Sequence, residues 1–144
     1  MKEKIKSSDI PYTYLLCMKQ DCPKAANCLR QIAEQEMGDD VQKWSIISPK
    51  FQKKQTGECR YFRPADKQVY ALGFIGILER LPYKQMQEAA FRLQSCFGRR
   101  TYYRMRKGER PLSPREQKSI LDVLKQCGID APGEFDAYFE TYDW

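Results

Sequence analysis

Apolar and polar positions alternate along this chain with helical period over much of its length. In "YKQMQEAAFRLQSCF", after Pro82, Met86, Ala89, Ala90, Leu93 and Phe97 fall on one face. That predicts a helix that Gly98 stops. From Ser113, "SPREQKSILDVLKQCG" places Gln117, Ile120, Leu121, Leu124 and Cys127 on an inner face. Ser113 caps this helix, Pro114 takes its first position and Glu116 completes a capping box. Between the two, a short helix is expected over 101–107, with Gly108 as its stop. An earlier helix is expected over 23–36, where Ala25, Cys28, Leu29 and Ile32 share a side.

Three stretches are less regular. "WSIIS", Trp44 to Ser48, is β-branched and reads as a lone strand ended by Pro49. Lys67 to Arg80 is apolar on nearly all sides and reads as a central buried helix. Its Gly73 and Gly76 keep a buried strand open. The tail "PGEFDAYFETYDW" carries four acids and no base, and its aromatics suggest a short helix packed on the body. The expected fold is therefore mainly α. It is a small helical domain whose three-helix, helix-turn-helix-like unit follows an N-terminal cysteine-rich segment stapled by a metal. Residues 1–64 form the cysteine-rich segment and 65–144 the helical unit with its acidic aromatic tail, together one compact domain.

Charge sharpens this picture. The 144 residues carry a formal charge of +6, which suits a polyanionic partner. Arg92 to Lys118 alone holds nine Lys or Arg against two Glu. On a helix from Thr101, Tyr102 and Met105 point inward. Arg100, Tyr103, Arg104 and Lys107 point the other way. Such a helix could enter a major groove, with arginine bridging guanine O6 and N7 and with Lys107 and Arg110 on phosphate. The candidate nucleic-acid contacts are Arg99, Arg100, Tyr103, Arg104, Lys107 and Arg110. The competing reading is a solvated basic face with both tyrosines packed inward.

The second cluster is Cys17, Cys22, Cys28 and Cys59, spaced C-x4-C-x5-C-x30-C. Four thiolates suit zinc, held in a closed structural site, with an iron–sulfur cluster as the alternative. A reading without metal leaves Cys28 as a small core residue and Cys17 and Cys22 as ordinary thiols. Cys96 and Cys127 are expected to pack within helices.

The chain has no His, which removes His-based triads and His general bases. No nucleophile–base pair or phosphate-binding glycine loop stands out, so an enzyme is not expected. The longest apolar run, "ALGFIGIL", has eight residues, against roughly 20 for a membrane span. The opening lacks the apolar core of a secretory leader, so a cytoplasmic protein with reduced thiols is expected.

Two resemblances bear on function. "FGRRTYYRMRKGERPLSPREQKSILDVLKQCGI" resembles the helix-turn-helix of Lac- and Cro-type repressors. Thr101 and Arg104 match the recognition helix of that family. Gly108, Arg110, Pro111, Ser113 and Pro114 match its loop, and Gly128-Ile129 its end. The likeness spans Pro82 to Ile129 and implies DNA binding through residues 100–107. The whole chain also resembles a family of small bacterial proteins of uncharacterised function. The shared segments are Cys17 to Arg30, Cys59 to Pro64 and Thr101 to Arg104. The leading expectation is a regulatory DNA-binding protein. The alternatives are a protein-interaction module on a repressor-like scaffold and an iron–sulfur or thiol redox sensor.

Overall fold

The structure, a computed structural model, describes residues 4–144. Those residues form helices α1 (Leu29–Gln35), α2 (Pro49–Lys54), α3 (Ile75–Glu79), α4 (Tyr83–Phe97), α5 (Arg99–Lys107) and α6 (Pro114–Gln126). Strands β1 (Gln68–Leu72) and β2 (Ala137–Thr141) pair as an antiparallel sheet. The expectation of a mainly α fold is overturned, because the fold is mixed α/β. The chain divides into two compact units. The first runs up to Lys67 and takes in Tyr142–Trp144, and the second is Gln68–Thr141.

The sheet replaces two expected helices, and its cause is specific. β1 pairs in register Gln68↔Thr141 through Leu72↔Ala137, and the Tyr70 and Phe139 rings meet across it at 5.8 Å. Cross-strand aromatic contacts of this kind favour the pairing. Gly73 then takes φ +76° and turns the chain into α3. The carboxylate of Asp136, just before β2, accepts from the Ile75 and Gly76 N–H groups at 2.9 and 3.0 Å. A Cβ at Gly73 or Gly76 would sit 2.7 or 2.9 Å from that carboxylate. Both glycines of the apolar run therefore leave room for Asp136. A continuous helix over 67–80 would lose this contact and the strand pairing together.

The helices of the second unit follow the sequence pattern closely. Ala89 and Leu93 of α4 are buried, with Met86, Ala90 and Phe97 packed partly around them. Ser113 Oγ accepts from Glu116 N–H at 3.3 Å, and Ser113 N–H donates to the Glu116 carboxylate at 3.1 Å. That is the capping box expected at the start of α6. Ile120, Val123 and Leu124 bury its inner face. The Ala71 and Leu112 backbones exchange hydrogen bonds at 3.0 and 2.8 Å, which ties the α5–α6 connection to β1.

The first unit is built from short pieces. The helix expected over 23–36 is interrupted. Ala25–Asn27 forms a single 3₁₀ turn, Cys28 is extended at φ −101°, ψ 120°, and α1 starts only at Leu29. Cys28 breaks the helix because it bridges backbone to Pro64, while Leu29 N–H donates to Arg63 C=O at 2.8 Å. The "WSIIS" stretch contributes one isolated parallel bridge, Leu16↔Ile46. Ser48 then caps α2, accepting from Phe51 N–H, with Pro49 in its first turn. The core here is Ile5, Tyr14, Leu16, Leu29 and Ala33, with Tyr142 and Trp144 packed against it.

Two substitutions test these constraints in the second unit. Gly98 alone joins α4 to α5 at φ +83°, ψ 150°, a region essentially reserved for glycine. Gly98→Ala meets no atom but strains the backbone, and is expected to cost about 1–3 kcal/mol in urea unfolding. An unchanged midpoint would show that the joint is not so constrained. Asp136→Ala removes the cap of α3 and is expected to cost about 1 kcal/mol in the same assay.

Candidate functional site

Helix α5 is the only element of the second unit with a dense run of cations, and its orientation is set from beneath. Tyr102 and Met105 are 1% and 0% exposed. The Tyr102 ring lies 5.9 Å from Phe74, and Phe74 N–H donates to the Arg106 carbonyl at 3.1 Å. Gly108, left-handed at φ +81°, closes the helix. With one side held in the core, the other side is free to solvent. Arg99, Arg100, Arg104 and Lys107 are exposed there. Among the described residues none of the four has an acidic partner. Arg100, Arg104 and Lys107 follow i, i+4, i+7 and so line one stripe.

The remaining candidates are engaged in the protein itself. Tyr103 is half-buried, its ring edge-on to Tyr102 at 5.1 Å with the Arg106 guanidinium 5.3 Å from its centre. Arg110 lies beyond α5 and forks onto the Glu116 carboxylate at 2.9 and 3.1 Å. It thereby braces the capping box of α6. The α4–α5 joint is one glycine long, so α5 follows α4 without a multi-residue turn.

The cysteines lie in the first unit. Cys17, Cys22, Cys28 and Cys59 all line a single cavity of about 350 Å³. The four cysteines singled out by spacing thus share one cavity. The expected metal staple of this segment is nevertheless overturned. Among the described residues no three Cys, Asp or Glu side chains are grouped to hold an ion. Tetrahedral zinc needs all four sulfurs at about 2.3 Å from one centre. All six cysteines are free thiols. Cys96 is exposed, against expectation. Cys127 is buried at the end of α6, where burial pushes its thiol pKa up.

Three buried polar residues surround the cavity, none of them evident from sequence. Gln31 and Gln52 each aim an amide N–H at Cys17 Sγ, at 3.3 and 3.0 Å, and Gln31 also donates to the Lys19 carbonyl. Arg30 is 8% exposed and donates to the Leu15 and Tyr61 carbonyls, both at 2.7 Å. Its guanidinium stacks 4.5 Å from the centre of the Tyr14 ring. Among the described residues no carboxylate pairs with it.

Among the described residues no helix is long and apolar enough to cross a membrane. The chain belongs to a family of unknown function, DUF6078, whose model matches residues 1–144. Comparison with curated proteins and with solved structures gives no significant match. The full-length resemblance to a family without assigned function is thereby established.

Tyr14 supplies a pH test of the first unit. Its hydroxyl is buried without a hydrogen-bond partner, and burial pushes its pKa up from 10.0 to about 12 against the pull of Arg30. The folded state thus favours the protonated phenol. Its contribution is complete below about pH 10 and is lost as pH rises towards 12. Tyr14→Phe is expected to change stability by less than about 1 kcal/mol at neutral pH, since it deletes an unpaired hydroxyl. It should also flatten the alkaline loss of stability. An unaltered alkaline profile would show that Tyr14 does not titrate in this way.

Proposed function

We propose that the protein binds DNA through the exposed stripe of α5, with Arg99, Arg100, Arg104 and Lys107 on phosphates and base edges. The observation that carries this reading is the combination of a core-anchored underside, Tyr102 and Met105, with four exposed cations that have no acidic partner. A nine-residue helix is roughly 13 Å long and can lie in a major groove roughly 12 Å wide. Exposed cations contribute little to folding, so their clustering is better accounted for by an external polyanion. Tyr103 holds Arg106 and gives the stripe an apolar flank. Arg110 acts indirectly, since its fork onto Glu116 braces the loop that follows α5. The repressor-type resemblance of residues 82–129 supports the same role for this helix.

The mechanism is phosphate neutralisation with counterion release, supplemented by arginine readout of guanine. Four phosphate contacts give a slope of log affinity against log salt on the order of −3 to −4. The test is a fluorescence-anisotropy titration of a labelled random duplex across a salt series. Lys107→Ala is expected to reduce the slope by about one, and the combined Arg100, Arg104 and Lys107 alanine variant by about three. All three side chains are exposed, so the fold should persist, as circular dichroism would check. Absence of binding at low salt, or an identical slope in the triple variant, contradicts the proposal.

A further inference from the structure

We propose that the cavity of the first unit binds a small organic carboxylate. Its anionic group pairs with Arg30, and a ring-sized apolar body lies against Ile47, Tyr61 and Phe62. This stands independently of the DNA-binding reading, because it concerns a different unit and different residues.

Size, charge and a fixed polar wall point to that class. The cavity measures about 350 Å³. An apolar cavity of about 150 Å³ already takes a benzene ring, and small-molecule pockets begin at about 300 Å³. The space therefore suits a body of two fused rings with one short polar group. Among the described residues its wall carries Lys19, Lys24 and Arg30 against Glu58, with Ile47, Tyr61 and Phe62 as apolar surface. Lys24 is exposed and its Nζ lies 5.0 Å from the centre of the Phe62 ring, so cation and aromatic wall adjoin.

Arg30 is the buried cation of this wall. Its Nε and Nη1 donate to the Tyr61 and Leu15 carbonyls, and its guanidinium stacks on the Tyr14 ring. Those contacts hold the group in place but do not neutralise it, because a carbonyl is a dipole and not a counter-ion. A buried charge is costly unless an opposite charge sits beside it. A bound carboxylate supplies that charge, and its two oxygens match the planar fork of a guanidinium. One buried cation matches one negative charge, which favours a carboxylate over a phosphate dianion.

The amides beside Arg30 are set before any ligand arrives. Gln31 and Gln52 are both buried and direct N–H groups at Cys17 Sγ, at 3.3 and 3.0 Å, and Gln31 also donates to the Lys19 carbonyl. One sulfur thereby fixes two amides of the wall, a positioning role for Cys17. Small-molecule sites combine a mostly apolar wall with a few polar groups fixed in advance, which lowers the entropy lost on binding.

The test uses the full chain with 2-naphthoate as the probe, its neutral isostere 2-naphthamide, and 2-naphthyl phosphate, all at one ionic strength. Two-dimensional NMR follows the Arg30 Nε–Hε group and the Gln52 side-chain amide. Saturable shifts of both are expected with 2-naphthoate, at a half-saturation about tenfold or more below that of 2-naphthamide, since a hydrogen bond to a charged group is lost in the amide. Lys24→Glu, at an exposed position, should raise the half-saturation for 2-naphthoate severalfold and leave that for 2-naphthamide unchanged. Phe62→Ala should weaken both probes. Absence of a saturable shift at Arg30 or Gln52 with 2-naphthoate overturns the proposal. So does equal affinity for 2-naphthamide, or an unmoved half-saturation for 2-naphthoate in Lys24→Glu. Tighter binding of 2-naphthyl phosphate overturns the assignment to a carboxylate.

Discussion

The burial of Tyr102 against Phe74 fixes how α5 is rolled, and most of the second unit is organised around that contact. A ring of this size, 1% exposed, cannot turn outward without opening the core. Its buried hydroxyl makes no regular hydrogen bond, and Arg106 beside it only partly offsets the cost of burial, so packing holds the ring. Burial pushes the Tyr102 pKa up accordingly. Phe74 is held in turn by its N–H bond to the Arg106 carbonyl and by the glycine turn before α3. Asp136 secures that turn from the other strand. The cationic stripe is therefore displayed by a chain of constraints from β2 through Asp136, Phe74 and Tyr102 to α5.

Much of this arrangement is legible in the sequence where local rules act alone. Ser113, Pro114 and Glu116 specify the start of α6 because all three partners lie within one turn. The inward placement of Tyr102 and Met105 follows from helical period. The strands could not be read in the same way. Lys67 to Arg80 has helix-like apolar spacing, and only Asp136, some sixty residues away, makes Gly73 and Gly76 a turn and a close approach. The tail's aromatics mimic a helical period, yet Tyr138 and Phe139 alternate across a strand. Cys28 similarly sits on a helical face in the sequence but is pulled out of the helix by its bridge to Pro64.

The two candidate sites differ in how their residues were found. The α5 stripe is local and its exposed members match expectation, although Arg110 is diverted to Glu116. The cysteine cavity is non-local, and spacing assembled its four thiols but misjudged their geometry. Arg30, Gln31 and Gln52 carry no signal of their own, since Leu-Arg-Gln-Ile reads as the middle of an ordinary helix. Their meaning depends on burial beside Cys17 and on the lack of a carboxylate for Arg30.

The central claim is that the exposed face of α5 meets DNA. Two-dimensional NMR of the arginine Nε–Hε groups, recorded as duplex DNA is added at low salt, tests it most directly. The account predicts that Arg99, Arg100 and Arg104 shift progressively, that Arg30 stays in place, and that the shifts fade as salt is raised. Shifts confined to arginines outside α5, or none at any duplex concentration, would contradict it.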